Sequence, residues 1–209
     1  ASVPALNVTS LIFKEKQGAY LAGYAAALAT KSKKVAMIAT ANQADIYQDG
    51  FAAGVLAAKK SARSYVKYVS GSAVVAVKQL MDQGSDVIFV TRPGSDNDVF
   101  GAIVARNKTK SSNIGMISVS PDQYVTVTQS TKKYLLASVI KRIDIAMYDV
   151  IAHAYADNEV PDVLDETAGI FGHTYGIGKG IEFRTYSSQL TAQTSLLNKA
   201  AIAAQKITH

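Results

Sequence analysis

Short runs of β-branched and apolar residues alternate with longer helical patterns along most of this chain. The two most apolar runs, Val35 to Thr40 and Asp86 to Val90, are typical of buried strands. Between them lie a helical pattern from about Asp45 to Lys60, a strand pattern from Tyr65 to Val69 and a helical pattern from Val74 to Gln83. This rhythm is typical of α/β proteins, so the sequence predicts a parallel sheet with helices on both faces.

The same alternation covers the start of the chain and its middle. Asn7 to Phe13 is predicted to be a strand, and Glu15 to Thr30 is predicted to be a helix. Beyond residue 90, the pattern predicts a further helix that ends at about Arg106 and a strand from Gly115 to Val119.

The alternation of predicted strands and helices ends after residue 123. Tyr124 to Thr128 is predicted to be a short extended segment, and Lys133 to Ala156 is the longest helical pattern, with Leu136, Ile140, Ile143, Met147 and Ile151 at spacings of three to four. The tail from Gly169 to Tyr186 predicts one or two edge strands, and Ser188 to Lys206 predicts a terminal amphipathic helix.

Composition excludes several kinds of protein. A chain of 209 residues with 48% hydrophobic residues can bury a core, and the absence of cysteine excludes disulfides and thiolate metal sites. The net charge is +6, but the basic residues are scattered, and the runs Lys31 to Lys34 and Lys59 to Lys60 fall where predicted helices end. No nucleic-acid-binding motif accompanies the charge, so no nucleic-acid partner is expected.

Catalytic and cofactor motifs are also missing from the sequence. His153, His173 and His209 are far apart and have no second metal ligand at a suitable spacing, so no metal site is expected. The glycine-rich segment Gly176 to Gly180 leads into an extended segment instead of a helix, which excludes a phosphate loop. We therefore expect no enzyme activity and no cofactor.

Three polar loops follow predicted strands: Thr40 to Asp45, Thr91 to Asp98 and Ser118 to Gln123. The carboxyl ends of parallel strands meet at one edge of a sheet, where ligands of open α/β sheets bind. These loops supply the candidate ligand-binding residues Thr40, Arg92, Gly94, Ser120 and Asp122. The alternative for each polar side chain is that it only caps the following helix.

Four segments in chain order resemble the basic membrane protein family, the substrate-binding lipoproteins of nucleoside-importing ABC transporters. They are NVTSLIFKEKQGAYLAGYAAAL (with Phe13, Glu15, Gly18, Leu21, Ala22 and Gly23 matching), QLMDQGSDVIF, ISVSPDQ and SVIKRIDIAMYDVI. The resemblance covers most of residues 7 to 151.

The resemblance implies a periplasmic-binding-protein type I-like fold, with two α/β lobes and a purine nucleoside enclosed between them. One nearly complete lobe and part of the other are expected here, because the resemblance begins at the last strand of the first lobe. It implies that Lys141 lies on a hinge-crossing helix and approaches the ligand, and that Glu15 and Gln17 lie near the cleft. Ser120 stands where the family usually has an acidic residue, and TRPGSDND replaces a small glycine-rich loop.

These observations define the expected organisation and function. Residues 1–30 are expected to hold a remnant of the first lobe and a crossover helix, residues 31–123 the ligand-binding lobe, and residues 124–209 the hinge-crossing helix, edge strands and terminal helix. The strand from Val8 to Phe13 is then predicted to belong to a different sheet from Val35 to Thr40. The expected protein is an extracytoplasmic, periplasmic or membrane-anchored solute-binding protein that delivers a nucleoside to a membrane permease, with its export signal or lipidation cysteine outside these residues. A cytoplasmic ligand-sensing regulator and a Rossmann-like enzyme are the alternatives.

Overall fold

The computed structural model describes residues 10–40, 44–91, 97–110, 112–119, 121–155 and 172–207. The strands in this part of the chain are β1 (Ser10–Phe13), β2 (Lys34–Ala39), β3 (Arg63–Tyr68), β4 (Val87–Val90), β5 (Gly115–Val119), β6 (Leu135–Lys141), β7 (Gly172–Tyr175) and β8 (Ile181–Thr185). The helices are α1 (Glu15–Ala29), α2 (Ala44–Ala58), α3 (Val74–Asp82), α4 (Asn97–Lys110), α5 (Ile143–Tyr155), α6 (Ser188–Thr191) and α7 (Thr194–Gln205).

Six of the strands form one sheet in the order β3-β2-β4-β5-β6-β8. The first five strands are parallel, and β8 pairs antiparallel with β6 at one edge. The chain runs from β2 outward to β3 and then crosses back to β4 on the other side of β2. The order of the strands therefore reverses between β2 and β4, where an open α/β sheet leaves a crevice at its carboxyl edge.

Helices cover both faces of this sheet. In β2, Val35, Met37 and Ala39 pack with α1 and α2, whereas Ala36 and Ile38 pack with α3 and α4. All five side chains are fully buried, because a central parallel strand is covered on both faces. The predicted α/β fold with helices on both faces is confirmed.

Two glycines let α1 and α2 approach each other at backbone distance. A Cβ atom at Gly23 would lie 2.0 Å from the carbonyl oxygen of Phe51, and one at Gly54 would lie 2.0 Å from the carbonyl oxygen of Tyr20. No side chain larger than hydrogen fits at either position, so the pair forms a rigid layer on one face of the sheet.

The first strand lies outside the six-stranded sheet. β1 pairs in parallel with β7, from Ser10 opposite Gly172 to Phe13 opposite Tyr175, and the two form a separate sheet. The prediction that the first strand and β2 belong to different sheets is confirmed. The Phe13 and Tyr175 rings stack at 5.6 Å, and the Tyr175 hydroxyl donates to the Ala146 carbonyl at 3.5 Å, which joins this small sheet to α5.

The long helix predicted from Lys133 to Ala156 is wrong. Leu135 to Lys141 form β6, and α5 begins only at Ile143. β6 lies between β5 and β8, so most of its side chains are buried on one face or the other and show no polar alternation. Such a run has apolar residues at helical spacing as well, and periodicity does not distinguish the two structures.

Smaller differences occur after β5 and near the end of the chain. Gln123–Val125 form a single 3-10 turn where an extended segment was predicted. The predicted edge strands of the tail are confirmed as β7 and β8, and the glycine-rich segment between them forms a turn that leads into an extended segment, as predicted, and not into a helix. The terminal helix is broken into α6 and α7 by Ala192 and Gln193.

Candidate functional site

The strands that precede the three polar loops end side by side. Ile38 in β2 is paired with Val90 in β4, Val90 with Ser118 in β5, and Val119 with Val139 in β6. The loops that follow β2, β4 and β5 therefore leave the sheet at one carboxyl edge, on both sides of the reversal in strand order. This common position, which the sequence analysis predicted, makes the edge the candidate functional site.

The structure describes only part of these loops. Arg92, Gly94 and Ser120 lie outside the described residues, so their roles stay predictions. Thr40 follows the last residue of β2 and is partly exposed at the edge. Thr91 is buried, and both its backbone nitrogen, at 3.0 Å, and its hydroxyl, at 3.4 Å, donate to the carbonyl of Ile38.

A charged cluster joins three elements at the carboxyl edge. Lys141, the last residue of β6, forms an ion pair with Glu15, the first residue of α1. The hydroxyl of Tyr47, in the first turn of α2, also hydrogen bonds to the Glu15 carboxylate. The Lys141 side chain is 28% exposed and that of Glu15 19%, so solvent or a ligand reaches both charges.

Tyr47 is the member of this cluster that sequence reasoning missed. Its side chain is almost completely buried against Phe89 of β4, with the ring centroids 6.3 Å apart. Burial raises the pKa of its hydroxyl, and the neighbouring Glu15 carboxylate raises it further. The neutral hydroxyl is thus a fixed donor to Glu15. A tyrosine three residues into a helix of mainly small and apolar side chains was the available signal.

Lys141 lies on a strand and not on the predicted helix, but it does lie at the carboxyl edge of the sheet. From the family resemblance, this residue was expected on a hinge-crossing helix that approaches the ligand. It ends a strand instead, two residues beyond the pairing of Val139 with Val119. Its ammonium group is therefore at the predicted edge, held by Glu15, and its contact with a ligand stays a prediction.

Gln17 has a structural role in place of the expected ligand contact. Its side-chain nitrogen donates to the carbonyls of Gln205, at 3.3 Å, and Ile207, at 3.2 Å, and its side-chain oxygen accepts from the backbone nitrogen of Ile177 at 3.0 Å. The residue is 2% exposed. All three contacts are to backbone groups, so Gln17 fastens the start of α1 to the end of α7 and to the β7–β8 turn.

Asp122 is likewise engaged by the protein itself. Its carboxylate accepts from the hydroxyl of Tyr186 at 2.5 Å, from the guanidinium of Arg184 at 3.0 Å and from the backbone nitrogen of Tyr124 at 3.1 Å. The last contact is the capping role that the sequence analysis gave as the alternative. With 14% of its side chain exposed, Asp122 anchors the loop after β5 across one face of the sheet, and a direct ligand contact is not supported.

Three chain segments connect the small β1–β7 sheet to the six-stranded sheet, and they are bonded to one another. The backbone nitrogen of Lys14 in the first segment donates to the carbonyl of Tyr175 in the third at 2.8 Å, and that of Arg142 in the second donates to Gly180 in the third at 2.8 Å. The Lys141–Glu15 ion pair joins the first segment to the second. We call these the crossover segments, and the charged cluster lies directly beside them.

Arg142 adds a further bond to this junction. Its guanidinium makes two hydrogen bonds to Asp144, at 2.7 and 2.9 Å, and a third to Glu182 of β8 at 3.1 Å. These bonds raise the pKa of Arg142 and lower the pKa of Asp144. The bidentate geometry holds α5 in a fixed direction as it leaves the six-stranded sheet.

The outer face of α5 is apolar and exposed. Its exposed apolar side chains share one face of the helix, at spacings of three to four residues, with the exposed Asp144 at the start of the same face: Ile143, Met147, Tyr148, Ile151 and Tyr155. Soluble domains seldom leave such a continuous apolar stripe in contact with water, so the stripe marks an interaction surface.

A second concave feature lies beside the crossover segments, which contribute Arg142 and Ile177 to its lining. It is a groove of about 350 Å³ between β8, α7 and the β7–β8 turn, with Leu197 and Phe183 in its lining and Lys179 and Asn198 among its polar groups. None of the sequence-predicted site residues lines it.

No group of three or more His, Asp or Glu side chains is placed to hold a metal ion in the described part of the chain. Across the same residues, every helix is too short or too polar to cross a membrane.

Comparisons with known proteins agree with this architecture. The model of a family described as ABC transporter substrate-binding protein, PnrA-like, matches residues 1–205. A protein of Listeria monocytogenes named CD4+ T-cell-stimulating antigen is 33% identical over 84% of this chain and 54% of its own length. The ABC transporter nucleoside-binding protein BmpA of Lactococcus lactis is 30% identical over 74% of this chain and 48% of its own length. The chain thus spans about half the length of the curated relatives it matches.

Solved structures show the same fold. A transcriptional activator of the comK gene from Bacillus halodurans superposes with a TM-score of 0.69 at 20% identity, over 96% of this chain and 67% of that one. A sugar ABC transport substrate-binding protein from Bordetella parapertussis superposes with a TM-score of 0.59 at 10% identity, over 90% of this chain and 62% of that one. These likenesses show the periplasmic-binding-protein type I-like fold. Because the family model covers nearly the whole chain, the chain belongs to the PnrA-like family of ABC transporter substrate-binding proteins, which is the basic membrane protein family that its motifs resemble.

Proposed function

We propose that this chain forms one wall and the crossover region of an extracytoplasmic solute-binding protein, which encloses a nucleoside against the carboxyl edge of the six-stranded sheet. The observation that carries the proposal is the cluster of Glu15, Lys141 and Tyr47, which lies at that edge beside the crossover segments. Membership of a family of substrate-binding proteins supports a role for the cluster in solute binding.

The cluster suits a polar, uncharged solute. The Glu15 carboxylate can accept hydrogen bonds from ribose hydroxyls, and the Lys141 ammonium can donate to a ribose or base oxygen. Because the two charges neutralise each other, the cluster presents donors and acceptors without a net charge. A free phosphate would require surplus positive charge here, so a nucleoside fits better than a nucleotide. The curated relative named as nucleoside-binding supports the same class of solute.

The opposite wall is supplied by a second lobe. The β1–β7 sheet and α5 form its beginning on the far side of the crossover segments. The exposed apolar stripe of α5 is the surface on which the rest of that lobe packs. Enclosed ligands bury roughly 70–90% of their surface, so one wall alone binds a nucleoside weakly.

The proposed mechanism is closure of two lobes about the crossover segments, without a chemical step. Three hydrogen-bonded crossover segments permit the two lobes to rotate as on a hinge, and they resist the sliding of one lobe past the other. The solute is then passed to the membrane permease of an ABC transporter. This places the protein outside the cytoplasm, in a periplasm or on a lipid anchor attached beyond these residues. No cofactor and no nucleic acid take part.

Calorimetric titration of the full-length gene product with inosine, guanosine, adenosine, cytidine and ribose tests this proposal. We expect a purine nucleoside to bind with a micromolar or lower Kd and to be recovered unchanged by chromatography. Lys141→Ala should weaken binding by about tenfold or more, equivalent to ~1.4 kcal/mol, whereas the remote Lys108→Ala control should not. Failure of every nucleoside to bind, or its conversion to base and sugar, would contradict the proposal.

A further inference from the structure

A dense group of positive charges lies at the amino edge of the six-stranded sheet, opposite the candidate site. The turn between α1 and β2 and the turn between α2 and β3 are held together by a hydrogen bond from the backbone nitrogen of Arg63 to the carbonyl of Lys33 at 2.8 Å. We call the group formed by these two turns the basic edge; it consists of Lys31, Lys33, Lys34, Lys59, Lys60 and Arg63.

Most of these side chains extend into solvent. Lys31, Lys33, Lys60 and Arg63 are exposed, whereas the ammonium group of Lys34 donates to a carbonyl at the end of α3 at 2.8 Å. Lys33 adopts a left-handed backbone conformation, with φ of 62°, which turns the chain sharply at the tip. The turns thus project several cations from one rigid edge.

The nearby carboxylate of Asp86 is occupied in shaping the turn. It accepts from the backbone nitrogens of Lys31 and Ser32, both at 2.8 Å, and from the Thr30 hydroxyl at 2.5 Å. Asp82, at the end of α3, pairs with Arg106 at 2.6 Å. Arg106 neutralises Asp82, whereas Asp86 keeps its negative charge but is outnumbered by the six basic residues, so the basic edge keeps a surplus of positive charge.

Compensation of helix dipoles does not account for this group. The last turns of α1 and α2 contain no basic residue, and the lysines lie beyond the helices, in the turns. The field of a helix end falls off within its last turn. The position of the lysines near helix ends, which the sequence suggested as their explanation, therefore does not account for how many of them lie here. Further positive charges lie along this end of the sheet. They belong to Lys108 and Lys110 at the end of α4 and to Lys132 and Lys133 before β6.

We propose that the basic edge binds the surface of an anionic lipid bilayer. Several cations on one rigid edge match the negative potential of such a surface, and each basic residue near it contributes to the attraction. The choice of lipid over nucleic acid rests on the extracytoplasmic location proposed above, which puts the protein beside a membrane. Bound in this way, the molecule turns its carboxyl edge away from the lipid, and it leaves this surface before the solute passes to the permease.

Co-sedimentation of the 209-residue chain with vesicles tests the inference. In 50 mM salt the chain should sediment with phosphatidylcholine vesicles that contain about 30% phosphatidylglycerol, but not with pure phosphatidylcholine, and 500 mM salt should release it. The variant K31E/K60E/R63E should lower the partition coefficient by about tenfold or more. The control K78E/K179E/K199E changes the net charge equally at exposed positions elsewhere and should lower it by less than about threefold.

Three results would overturn the inference: no binding to the anionic vesicles, equal losses in both triple variants, or a preference for single-stranded DNA that the K31E/K60E/R63E variant abolishes. Thermal unfolding by circular dichroism confirms that each variant is folded. In the full-length gene product, K31E/K60E/R63E should leave nucleoside affinity unchanged. Failure of lipid binding is thereby distinguished from failure of the proposed solute site.

Discussion

Lys141 at the end of β6 forms an ion pair with Glu15 at the start of α1, although 126 positions separate them in the chain. The pair joins two of the three crossover segments, and the hydroxyl of Tyr47 hydrogen bonds to its Glu15 carboxylate. It holds the geometry of the carboxyl edge and places both charges where a solute can reach them. In the function proposed above, stability and recognition depend on the same contact.

A double-mutant cycle with Glu15→Gln and Lys141→Met measures this contact. Its exposure is intermediate, so we expect a coupling free energy of about 1–2 kcal/mol, above the surface range of about 0–1 kcal/mol and below that of a fully buried pair. Urea unfolding followed by circular dichroism provides the four values. The Arg106–Asp82 pair, in which the Asp82 side chain is 62% exposed and that of Arg106 16%, is the control and should give less than about 1 kcal/mol. Equal coupling free energies in the two pairs would show that the Lys141–Glu15 contact stabilises the protein no more than the control pair does.

Gln17→Leu should destabilise the chain by about 1–3 kcal/mol, because the backbone groups of Ile177, Gln205 and Ile207 lose their partner. Amide hydrogen exchange should rise at Ile177 and at the end of α7, and remain unchanged in β3. The partly exposed residue Gln193, whose side chain donates to the carbonyl of Gln189 one turn earlier, supplies the control Gln193→Leu, with an expected loss below about 0.5 kcal/mol. Unchanged exchange at Ile177 would contradict the fastening role of Gln17.

Gly23→Ala should cost about 2 kcal/mol or more, because its Cβ atom would lie 2.0 Å from the Phe51 carbonyl oxygen and the helices must separate. Gly101→Ala in α4 is the matched control, since its Cβ atom would meet nothing within 4 Å. That change should stabilise the protein by about 0.5–1 kcal/mol through helix propensity. Thermal unfolding should give Tm shifts of opposite sign, and a loss of stability in both variants would argue against close helix contact as the cause.

The stability of the protein should fall above pH 10, in part because of Tyr47. Burial and the Glu15 carboxylate raise the pKa of Tyr47 in the folded state above its unfolded value of about 10. The stabilisation is fully present below pH 10 and is lost as the pH rises toward the folded pKa. Tyr47→Phe should therefore lose less unfolding free energy than the wild type between pH 9 and pH 11, whereas Tyr148→Phe, at a residue that is 72% exposed, should follow the wild type. Parallel curves for the wild type and Tyr47→Phe would be inconsistent with this assignment.

Most of the fold could be predicted from the sequence, and the clearest failure has a physical cause. Strands such as Gly115–Val119 were predicted within a residue of their bounds, because β-branched runs lie between clear helical patterns. β6 was missed because its apolar residues pack on both faces of the sheet, which removes the alternation that identifies a strand.

The candidate site was predictable in position and less so in detail. Strand ends defined the common edge, whereas Lys141 and Glu15 were expected near the ligand only from the family resemblance, with Lys141 assigned to a helix instead of a strand. The sequence pattern does not show which polar groups the backbone engages, so Gln17 and Asp122 were assigned to a ligand. Tyr47 was missed because its contact with Glu15 spans two helices and depends on their close packing.

The most direct test of the account is a titration of the ¹⁵N-labelled 209-residue chain with inosine, followed by NMR chemical shifts. The account predicts weak, millimolar binding, with the largest shifts at the carboxyl edge, around Thr40, Thr91 and Lys141, because this chain supplies one wall of an enclosed site. Micromolar or tighter affinity would contradict it. So would shifts concentrated in the groove around Leu197 and Asn198, between β8 and α7.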